Sequence, residues 1–254
     1  MRVATWNVNG IRAREAQFLA WVERDAPDVV CLQEIKANAT QLSLALGTLG
    51  AYPSLWHGAG GYSGVSLHLA KARFPSPPVF SHPSFDHETR WVEAEVDDAA
   101  LGGKLVVAST YVPNGGKDYG AKVKFLEAMI EHLRARVKSG AHVIVCGDLN
   151  VARSPIDVHP SQRDRDCIGQ LDEERELFEQ MLGVGLGDVQ RDLHPENAQL
   201  FSWWPYWRNL RQKNVGWRLD YVLASHDLAE RATSCDVLAD VGTSDHAPVL
   251  ATFT

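Results

Sequence analysis

The rest of the chain is organised around residues 142–150, His142-Val143-Ile144-Val145-Cys146-Gly147-Asp148-Leu149-Asn150. Its apolar run predicts a buried strand over residues 143–146, which a glycine ends. Asp148 and Asn150 follow two residues apart, so they face the same side of the chain. A carboxylate at such a strand end can take a proton from water, and a carboxamide beside it can hold that water or a negative oxygen. The structural alternative is a turn, where Asp and Asn are also common.

Polar residues also end two strands predicted earlier in the chain. A strand over residues 3–6 leads into Asn7, and a strand over residues 28–32 is followed by Glu34. A helix predicted over residues 14–26 separates the two. Parallel strands joined by a helix end at the same edge of a sheet, which is where polar ligands of α/β proteins bind. A single Glu at a strand end commonly has no function. Polar residues at the ends of several strands, however, favour a shared site.

The rest of the chain repeats this organisation. Strands are predicted over residues 65–69, 88–96, 104–111, 219–223 and 249–253, and helices over 121–138 and 173–182. The two similar halves predict two sheets packed face to face with helices outside. No linker separates the halves, so residues 1–254 are predicted to form one domain.

Length, charge and cysteine usage limit the classes of function. The chain has 254 residues and a net charge of −7, so any binding to nucleic acid must come from a local patch. No segment reaches the length of a transmembrane helix, and the first residues turn polar too early for a signal peptide. The four cysteines lie far apart and include no CxxC motif, which predicts reduced thiols in a cytoplasmic protein; they are Cys31, Cys146, Cys167 and Cys235.

The candidate ligands are carboxylates, carboxamides and one imidazole at separate strand ends. They are Asn7, Glu34, Asp148, Asn150, Asp245 and His246. Hard oxygen ligands suit Mg²⁺ or Mn²⁺ together with water and substrate phosphate. Ser244-Asp245-His246 has the letters of a serine hydrolase triad, but adjacent residues on a strand point apart. No HExxH motif or cysteine-rich zinc spacing is present.

Residues 197–219 form a basic, aromatic segment without Asp or Glu in an otherwise acidic chain. The segment contains Arg208, Arg211, Lys213 and Arg218 together with Phe201, Trp203, Trp204, Tyr206, Trp207 and Trp217. Basic groups reach phosphates, and aromatic faces take sugars or unstacked bases, so the segment predicts contact with DNA. The alternative, core aromatics at the edge of a sheet, applies to some of these side chains.

Seven motifs in one order resemble the exonuclease III family of apurinic/apyrimidinic (AP) endonucleases over nearly the whole chain. They are Asn7-Val8-Asn9-Gly10-Ile11-Arg12, Leu32-Gln33-Glu34-x-Lys36, Gly61-Tyr62-Ser63-Gly64-Val65, Tyr111-Val112-Pro113-Asn114-Gly115, Gly147-Asp148-Leu149-Asn150-Val151-Ala152, Gly216-Trp217-Arg218-Leu219-Asp220-Tyr221 and Ser244-Asp245-His246-Ala247-Pro248. The wider endonuclease/exonuclease/phosphatase superfamily shares the Glu34, Asp148-x-Asn150 and Asp245-His246 elements. The motifs that begin at Asn7, Tyr111 and Gly216 favour the DNA-repair branch of this superfamily.

The resemblance implies a four-layer α/β sandwich, two packed mixed β-sheets flanked by helices, and it implies roles for the site. Glu34, with Asn7 and Asp245 through water, would hold the metal ion. Asp148 would orient or deprotonate the attacking water, and Asn150 would position that water and the phosphate. Two further groups, His246 and Tyr111, would donate hydrogen bonds to the phosphate oxygens. Asp220 would orient His246. These groups meet the needs of phosphoryl transfer. The alternatives are an ordinary strand aromatic for Tyr111 and a surface residue for Asp220.

The resemblance also implies a pocket for a flipped deoxyribose that lacks its base. Trp203, Trp217 and Leu219 fall on this pocket, Lys117 and Trp207 fall on positions that enter the duplex grooves, and Arg218 belongs to the same DNA-contacting set. Near the abasic nucleotide, where relatives carry asparagines, this chain departs from the pattern with Asp164 and Cys167. Arg163 and Arg165 are expected to neutralise Asp164.

The expected function is therefore base excision repair. A Mg²⁺-dependent (or Mn²⁺-dependent) monomer would cut duplex DNA 5′ to an abasic site and leave a 3′-hydroxyl, with some 3′→5′ exonuclease or 3′-end trimming activity and no membrane association. One rival is a superfamily enzyme that acts on a non-DNA phosphate ester; the aromatic segment argues against it. The other rival is a non-catalytic DNA-binding relative, against which the intact set of polar ligands argues.

Overall fold

The computed structural model describes all residues from Met1 to Thr254. It contains two six-stranded sheets. The first sheet has, in spatial order, β11 (Ala232–Val237), β12 (Val249–Phe253), β1 (Arg2–Asn7), β2 (Val29–Gln33), β4 (Val65–Leu69) and β3 (Ser54–His57). The second has β5 (Val79–Ser81), β6 (Trp91–Asp98), β7 (Gly103–Tyr111), β8 (His142–Asp148), β10 (Asp220–Ser225) and β9 (Leu186–Asp188).

Each sheet contains one parallel pair of strands, and its other pairs are antiparallel. In the first sheet β1 and β2 are parallel and are joined by helix α1 (Ile11–Asp25). In the second sheet β7 and β8 are parallel and are joined by helix α3 (Tyr119–Lys138). The shorter helices are α2 (Leu44–Gly47), α4 (Asp172–Leu182), α5 (Val189–Leu193) and α6 (His226–Ala229). The two equivalent β-α-β units explain why the two halves of the sequence look alike.

Three apolar clusters hold the layers together. The largest contains 23 buried residues from both sheets, among them Val29 and Leu67 of the first and Val107 and Ile144 of the second. A second cluster joins the outer face of the second sheet to α3 and α4, and a third joins the first sheet to α1. Burying one such side chain contributes about 1.5–3 kcal/mol. The order helix, sheet, sheet, helix confirms the predicted four-layer sandwich.

Several predicted boundaries shift, each for a local reason. Helix α1 begins at Ile11 rather than at residue 14 because Gly10, at φ 100°, turns the chain directly out of β1. Strand β6 begins at Trp91 rather than at residue 88 because Glu88 and Thr89 adopt the left-handed conformation, at φ 57° and 56°. None of the helices combines the length and the apolar character that crossing a membrane requires.

Candidate active site

Strand ends from both sheets meet at one edge of the sandwich. Asn7 ends β1 and Glu34 follows β2. In the second sheet, Tyr111 of β7 lies opposite Asp148 of β8, and Asp148 lies opposite Asp220 of β10. The predicted convergence of distant strand tips is therefore present.

Gly147, which precedes Asp148, allows strands β7 and β8 to approach closely. A Cβ atom at this position would lie 1.9 Å from the carbonyl oxygen of Thr110, and φ is 155°. No other residue fits there, so this glycine fixes the position of the carboxylate that follows.

A cavity of about 390 Å³ opens at these strand ends and contains most of the predicted site. Nine predicted residues line it, namely Glu34, Tyr111, Asp148, Asn150, Trp203, Trp217, Leu219, Asp245 and His246. Four residues that sequence reasoning missed complete the wall, namely Asn114, Gly116, Ile168 and Gly169. Asn114 and Gly116 belong to the loop after β7, where the turn residues in the sequence could have indicated a site. Ile168 and Gly169 lie in a polar loop whose sequence contains no pattern that indicates a site.

Asn7 lies beneath the cavity and joins two of its carboxylates. Its side-chain nitrogen donates to Glu34 Oε1 and to Asp148 Oδ2, at 2.9 Å each. Its side-chain oxygen accepts from the backbone of Asn9 at 3.0 Å. Asn7 thus fixes the separation of the two carboxylates, and its own oxygen is already engaged.

His246 lies between two aspartates. Its Nδ1 donates to Asp220 Oδ2 at 2.8 Å, and its Nε2 lies 3.7 Å from Asp148 Oδ2. Burial alone would lower the pKa of His246, but the charges of Asp220 and Asp148 outweigh it and raise this pKa to about 10. The imidazole is therefore a cation at neutral pH. Ser202, a residue that sequence reasoning missed, donates to the same Asp220 oxygen at 2.6 Å.

The carboxylates of the cavity differ in their readiness to accept a proton. Burial, with the charges of Asp220 and Glu34, raises the pKa of Asp148 to about 7 against the lowering effect of His246. Burial also favours the neutral form of Glu34, yet hydrogen bonds from Asn7 and Lys36 lower its pKa below the ordinary value. Burial, Glu34 and Asp148 together raise the pKa of Tyr111, so its phenol stays protonated.

The donor set fits a divalent cation that prefers oxygen. Glu34 and Asp148 present carboxylate oxygens to one cavity, and Lys36 Nζ already lies 2.7 Å from Glu34 Oε2, where a cation is favoured. Ligand atoms of Asp148, Asp220 and His246 also lie within 4.8 Å of one another. Asp220 is fully buried behind His246, so Glu34 and Asp148 are the more accessible ligands.

Part of the cavity lining is aromatic. The rings of Trp203 and Trp217 lie edge to face with centroids 5.7 Å apart, and Leu219 lies beside them. The indole nitrogen of Trp203 donates to Asp245 Oδ2 at 3.1 Å, and Asn9 donates to the other oxygen of this carboxylate at 2.9 Å. Both oxygens of Asp245 are therefore held by side chains.

The basic, aromatic segment divides into exposed and structural residues. Trp207 and Tyr206 are 62% and 60% exposed, and Lys117 is exposed on the neighbouring loop. Phe201 and Trp204 belong to a small buried cluster. The segment is therefore partly interface and partly core.

The expected contact of Arg218 with DNA is wrong. Its side chain is fully buried, where it donates to Asp157 Oδ1 at 2.7 Å and to both oxygens of Asp188 at 2.8 and 2.7 Å. Arg211 likewise donates to backbone carbonyl groups of residues 239, 241 and 244. A sequence does not distinguish a basic residue that faces solvent from one that a distant carboxylate holds in the interior.

The expected neutralisation of Asp164 by two arginines is also wrong. Arg163 donates to the carbonyl oxygen of Val158 at 3.1 Å, and Arg165 pairs with Asp172 at 3.3 Å. The Asp164 carboxylate instead accepts a hydrogen bond from the backbone of Asp166 at 3.0 Å. Its charge therefore remains at this part of the surface.

A buried lysine outside every sequence motif supports the site. Lys122 of α3 is fully buried and pairs with Glu174 of α4. Its Nζ also donates to the carbonyl oxygen of Asn150 at 2.7 Å. Glu174 Oε2 accepts from the backbone of Gly169 at 2.6 Å. The pair links the two outer helices to loops that line the cavity.

Known proteins resemble this chain in sequence and in structure. Residues 4–246 match the Endonuclease/Exonuclease/phosphatase family. An exodeoxyribonuclease of Bacillus subtilis is 32% identical over 98% of this chain and 98% of its own length. The DNA repair nuclease APEX1 of Danio rerio is 32% identical over 98% of this chain and 81% of its own length. An AP endonuclease from Archaeoglobus fulgidus superposes with a TM-score of 0.88 at 28% identity, covering 100% of this chain and 99% of that one. With its polar strand tips in one cavity, the chain belongs to the Endonuclease/Exonuclease/phosphatase family.

Proposed function

We propose that this protein is a DNA-repair nuclease that hydrolyses the phosphodiester bond 5′ to an abasic site in duplex DNA and leaves a 3′-hydroxyl. One observation carries the proposal: a single cavity is lined both by acid–base groups and by Trp203, Trp217 and Leu219. A small apolar pocket accepts a flipped sugar without its base and excludes a complete nucleotide. The similarity to an exodeoxyribonuclease and to an AP endonuclease supports the same substrate.

Asp148 is the proposed acceptor of the proton from the attacking water. Its pKa of about 7 lies near the working pH, where an acid–base group is most effective. Asn7 and the backbone of Asn150 donate to its two oxygens, at 2.9 Å each, and hold the carboxylate in one orientation. The carboxamide of Asn150 donates to the carbonyl oxygen of Val112 at 2.9 Å, which fixes it beside the water and the phosphate.

His246 and Tyr111 are the proposed hydrogen-bond donors to the non-bridging phosphate oxygens. His246 carries a positive charge because Asp220 and Asp148 stabilise it, and Tyr111 keeps its proton. Preorganised donors of this kind stabilise the charge that develops in the transition state. Asp220 acts through His246, whose ring it orients.

The proposed cofactor is Mg²⁺, with Mn²⁺ as the alternative, and its proposed direct ligand is Glu34. The remaining candidate ligands would act on the ion through water, namely Asn7, Asp148, Asn150, Asp245 and His246. When bound, the ion neutralises negative charge on the phosphate and the leaving oxygen. The hard oxygen donors of Glu34 and its neighbours support this choice.

The duplex is proposed to lie across the exposed loops that flank the cavity. Lys117 and Trp207 extend from these loops and are proposed to enter the grooves. The same centre would trim 3′ ends in the 3′→5′ direction. We also propose that the chain acts as one domain and as a cytoplasmic monomer, a setting in which buried free cysteines such as Cys31 stay reduced.

An incision assay tests the proposal. The protein is incubated with a duplex that carries one abasic analogue, an intact duplex, or an inositol phosphate, each with Mg²⁺ and with EDTA. Incision at the lesion that requires the metal is expected. Phosphate release from the inositol compound alone would instead favour a family member that acts on a small phosphate ester.

Replacing Asp148 with Asn separates the reaction from binding. The variant keeps the shape of the side chain but cannot accept the proton, so turnover should fall by about 10²-fold or more while lesion binding persists. Gel-shift and single-turnover measurements give the two quantities. Lost binding with unchanged turnover would contradict the role given to Asp148.

A further inference from the structure

The open edges of the two sheets carry two histidines and an aspartate that the proposed reaction does not use. His57 ends β3, the edge strand of the first sheet. His82 follows β5, the edge strand of the second sheet, and Asp86 lies in the connection to β6. One ligand atom from each of the three lies within 4.8 Å of the other two.

The arrangement is close to that of a metal centre. His57 Nε2 lies 2.6 Å from Asp86 Oδ2, and the rings of His57 and His82 stack with centroids 4.7 Å apart and an interplanar angle of 13°. Imidazole and carboxylate ligands bind zinc at about 2.0–2.2 Å, which places neighbouring ligand atoms roughly 3.3 Å apart. The ligand atoms already lie within 4.8 Å of one another, so rotations of the two histidine side chains would be sufficient to approach that spacing. A His–Asp hydrogen bond alone accounts for two of the three groups and leaves the second imidazole unexplained.

The protein fixes the orientation of Asp86. Its Oδ1 accepts hydrogen bonds from the backbone of Arg90 at 2.7 Å and of Trp91 at 2.9 Å. Oδ2 therefore points to the histidines. Burial would raise the pKa of Asp86, but His57 and these backbone bonds lower it, so the carboxylate is charged. Such support behind a ligand is characteristic of metal sites.

We propose that His57, His82 and Asp86 bind a divalent transition-metal ion of the zinc class, which ties the edge of the first sheet to the edge of the second. Two imidazole nitrogens and one carboxylate favour Zn²⁺ over Mg²⁺, which prefers oxygen ligands. Water completes the coordination, since His82 is exposed and the His57 side chain is 19% exposed. The cluster shares no residue with the cavity.

Calorimetric titration with ZnCl₂ tests the site. Metal-free protein is titrated in millimolar Mg²⁺, which fills the proposed catalytic centre. We expect one zinc ion per chain at this cluster, with affinity reduced about tenfold or more in His57→Ala and in His82→Ala. The melting temperature should rise by about 5 °C when zinc reaches roughly a hundred times its dissociation constant. His87→Ala is the matched control, because His87 is exposed and lies outside the cluster.

An Asp148→Asn background separates this cluster from the catalytic cavity. Zinc binding that persists there and disappears in both histidine variants supports the proposal. Binding that is lost only in Asp148→Asn places the ion in the cavity and overturns it. Zinc affinity unchanged in both histidine variants, or no binding by the wild type at about 100 µM zinc, a threshold well above ordinary structural zinc affinities, also overturns it.

Discussion

At the scale of the residue, two buried aspartates share one histidine and have different roles. Asp220 is fully enclosed and accepts hydrogen bonds from His246 and Ser202. Asp148 lines the cavity, and burial together with neighbouring carboxylates raises its pKa to about 7. Their environments therefore suit Asp220 to orient the histidine and Asp148 to accept a proton.

Replacing Asp220 with Asn should weaken catalysis through His246. The charge of Asp220 raises the pKa of His246 to about 10, so its loss lets the imidazole lose its proton at lower pH. We expect kcat to fall about 10²-fold with little change in KM, and the alkaline limb of the pH–rate profile to move to lower pH. Ser202→Ala removes a hydrogen bond to the same carboxylate but leaves its charge in place. The alkaline limb should therefore not move in this control, although the backbone N–H groups of Leu219 and Asp220 also lose their acceptor. An unchanged alkaline limb in Asp220→Asn would contradict this role.

His68 should make folding sensitive to acid. It is fully buried, lies 4.7 Å from the ring of Trp56, and burial lowers its pKa to about 3. Between about pH 6.5 and 3 the unfolded chain binds the proton and the folded chain does not, so acid favours unfolding. This residue should remove about 2 kcal/mol from the free energy of unfolding between pH 7 and pH 5.

Urea denaturation of His68→Leu at both pH values measures this contribution. The variant should lose less stability on acidification than the wild type. The exposed His87, replaced in the same way, should leave the acid loss as it is in the wild type. An equal acid loss in His68→Leu and in the wild type would exclude His68 as the source.

At the scale of the element, the sequence predicts the central strands and misses the edges. The four strands without a predicted counterpart are β3, β5, β9 and β11, and each lies at the edge of a sheet. A central strand such as β8 is covered on both faces and reads as a continuous apolar run. An edge strand such as β5 is three residues long and largely exposed, so no periodic pattern exists to detect.

The same distinction applies to the candidate site. Asp148 and Glu34 follow strongly apolar strands, so their place at a strand tip could be predicted. Lys122 and Arg218 could not be placed, because their positions depend on partners 52 and 30 residues away, Glu174 and Asp188. A single sequence does not encode such pairings in any local pattern. The sequence therefore predicts a DNA contact for Arg218 and no role for Lys122.

The ion pair between α3 and α4 should be necessary for both stability and activity. Lys122→Met leaves Glu174 charged and unpaired in the interior, which costs about 3–5 kcal/mol. Lys122→Met combined with Glu174→Leu should recover much of that stability. It should not recover kcat, because the carbonyl oxygen of Asn150 and the backbone of Gly169 lose their partners. Chemical denaturation and incision rates measure the two effects.

Lys124 is the matched control on the same helix, because its side chain is exposed. Lys124→Met should change the free energy of unfolding by less than about 0.5 kcal/mol. Full recovery of kcat in the double variant would show that the pair supports folding and has no part in positioning the site.

At the scale of the whole molecule, the site exists only because the two halves pack together. Asn7 and Glu34 come from the first sheet and Asp148 from the second, and the hydrogen bond from Asn7 to Asp148 crosses between the sheets. The 23-residue cluster between the sheets therefore sets the distance between catalytic groups. A shift of even 1 Å at such a junction is enough to lower the rate of a reaction that depends on positioning.

The net charge of −7 predicts a weak dependence of DNA binding on salt. A broadly basic protein contacts many phosphates, whereas here the exposed basic side chains of the proposed interface are few: Lys117, Arg208 and Lys213. Each neutralised phosphate contributes about −0.9 to the slope of log K against log salt concentration, so we expect a slope no steeper than about −3. Aromatic contacts, including the 62% exposed Trp207, should supply the remaining affinity without dependence on salt.

Binding of a lesion duplex at several salt concentrations, measured with Asp148→Asn to prevent cleavage, tests this balance. Lys117→Ala should reduce the slope by about 0.9, and Trp207→Ala should weaken binding with an unchanged slope, by about 1–3 kcal/mol. Lys104 is the control, because it pairs with Glu95 at the end of β7 opposite to Tyr111. A slope near −8, as about nine phosphate contacts would give, would mean that charge rather than stacking holds the duplex. The same slope for Asp148→Asn with and without Lys117→Ala would remove Lys117 from the interface.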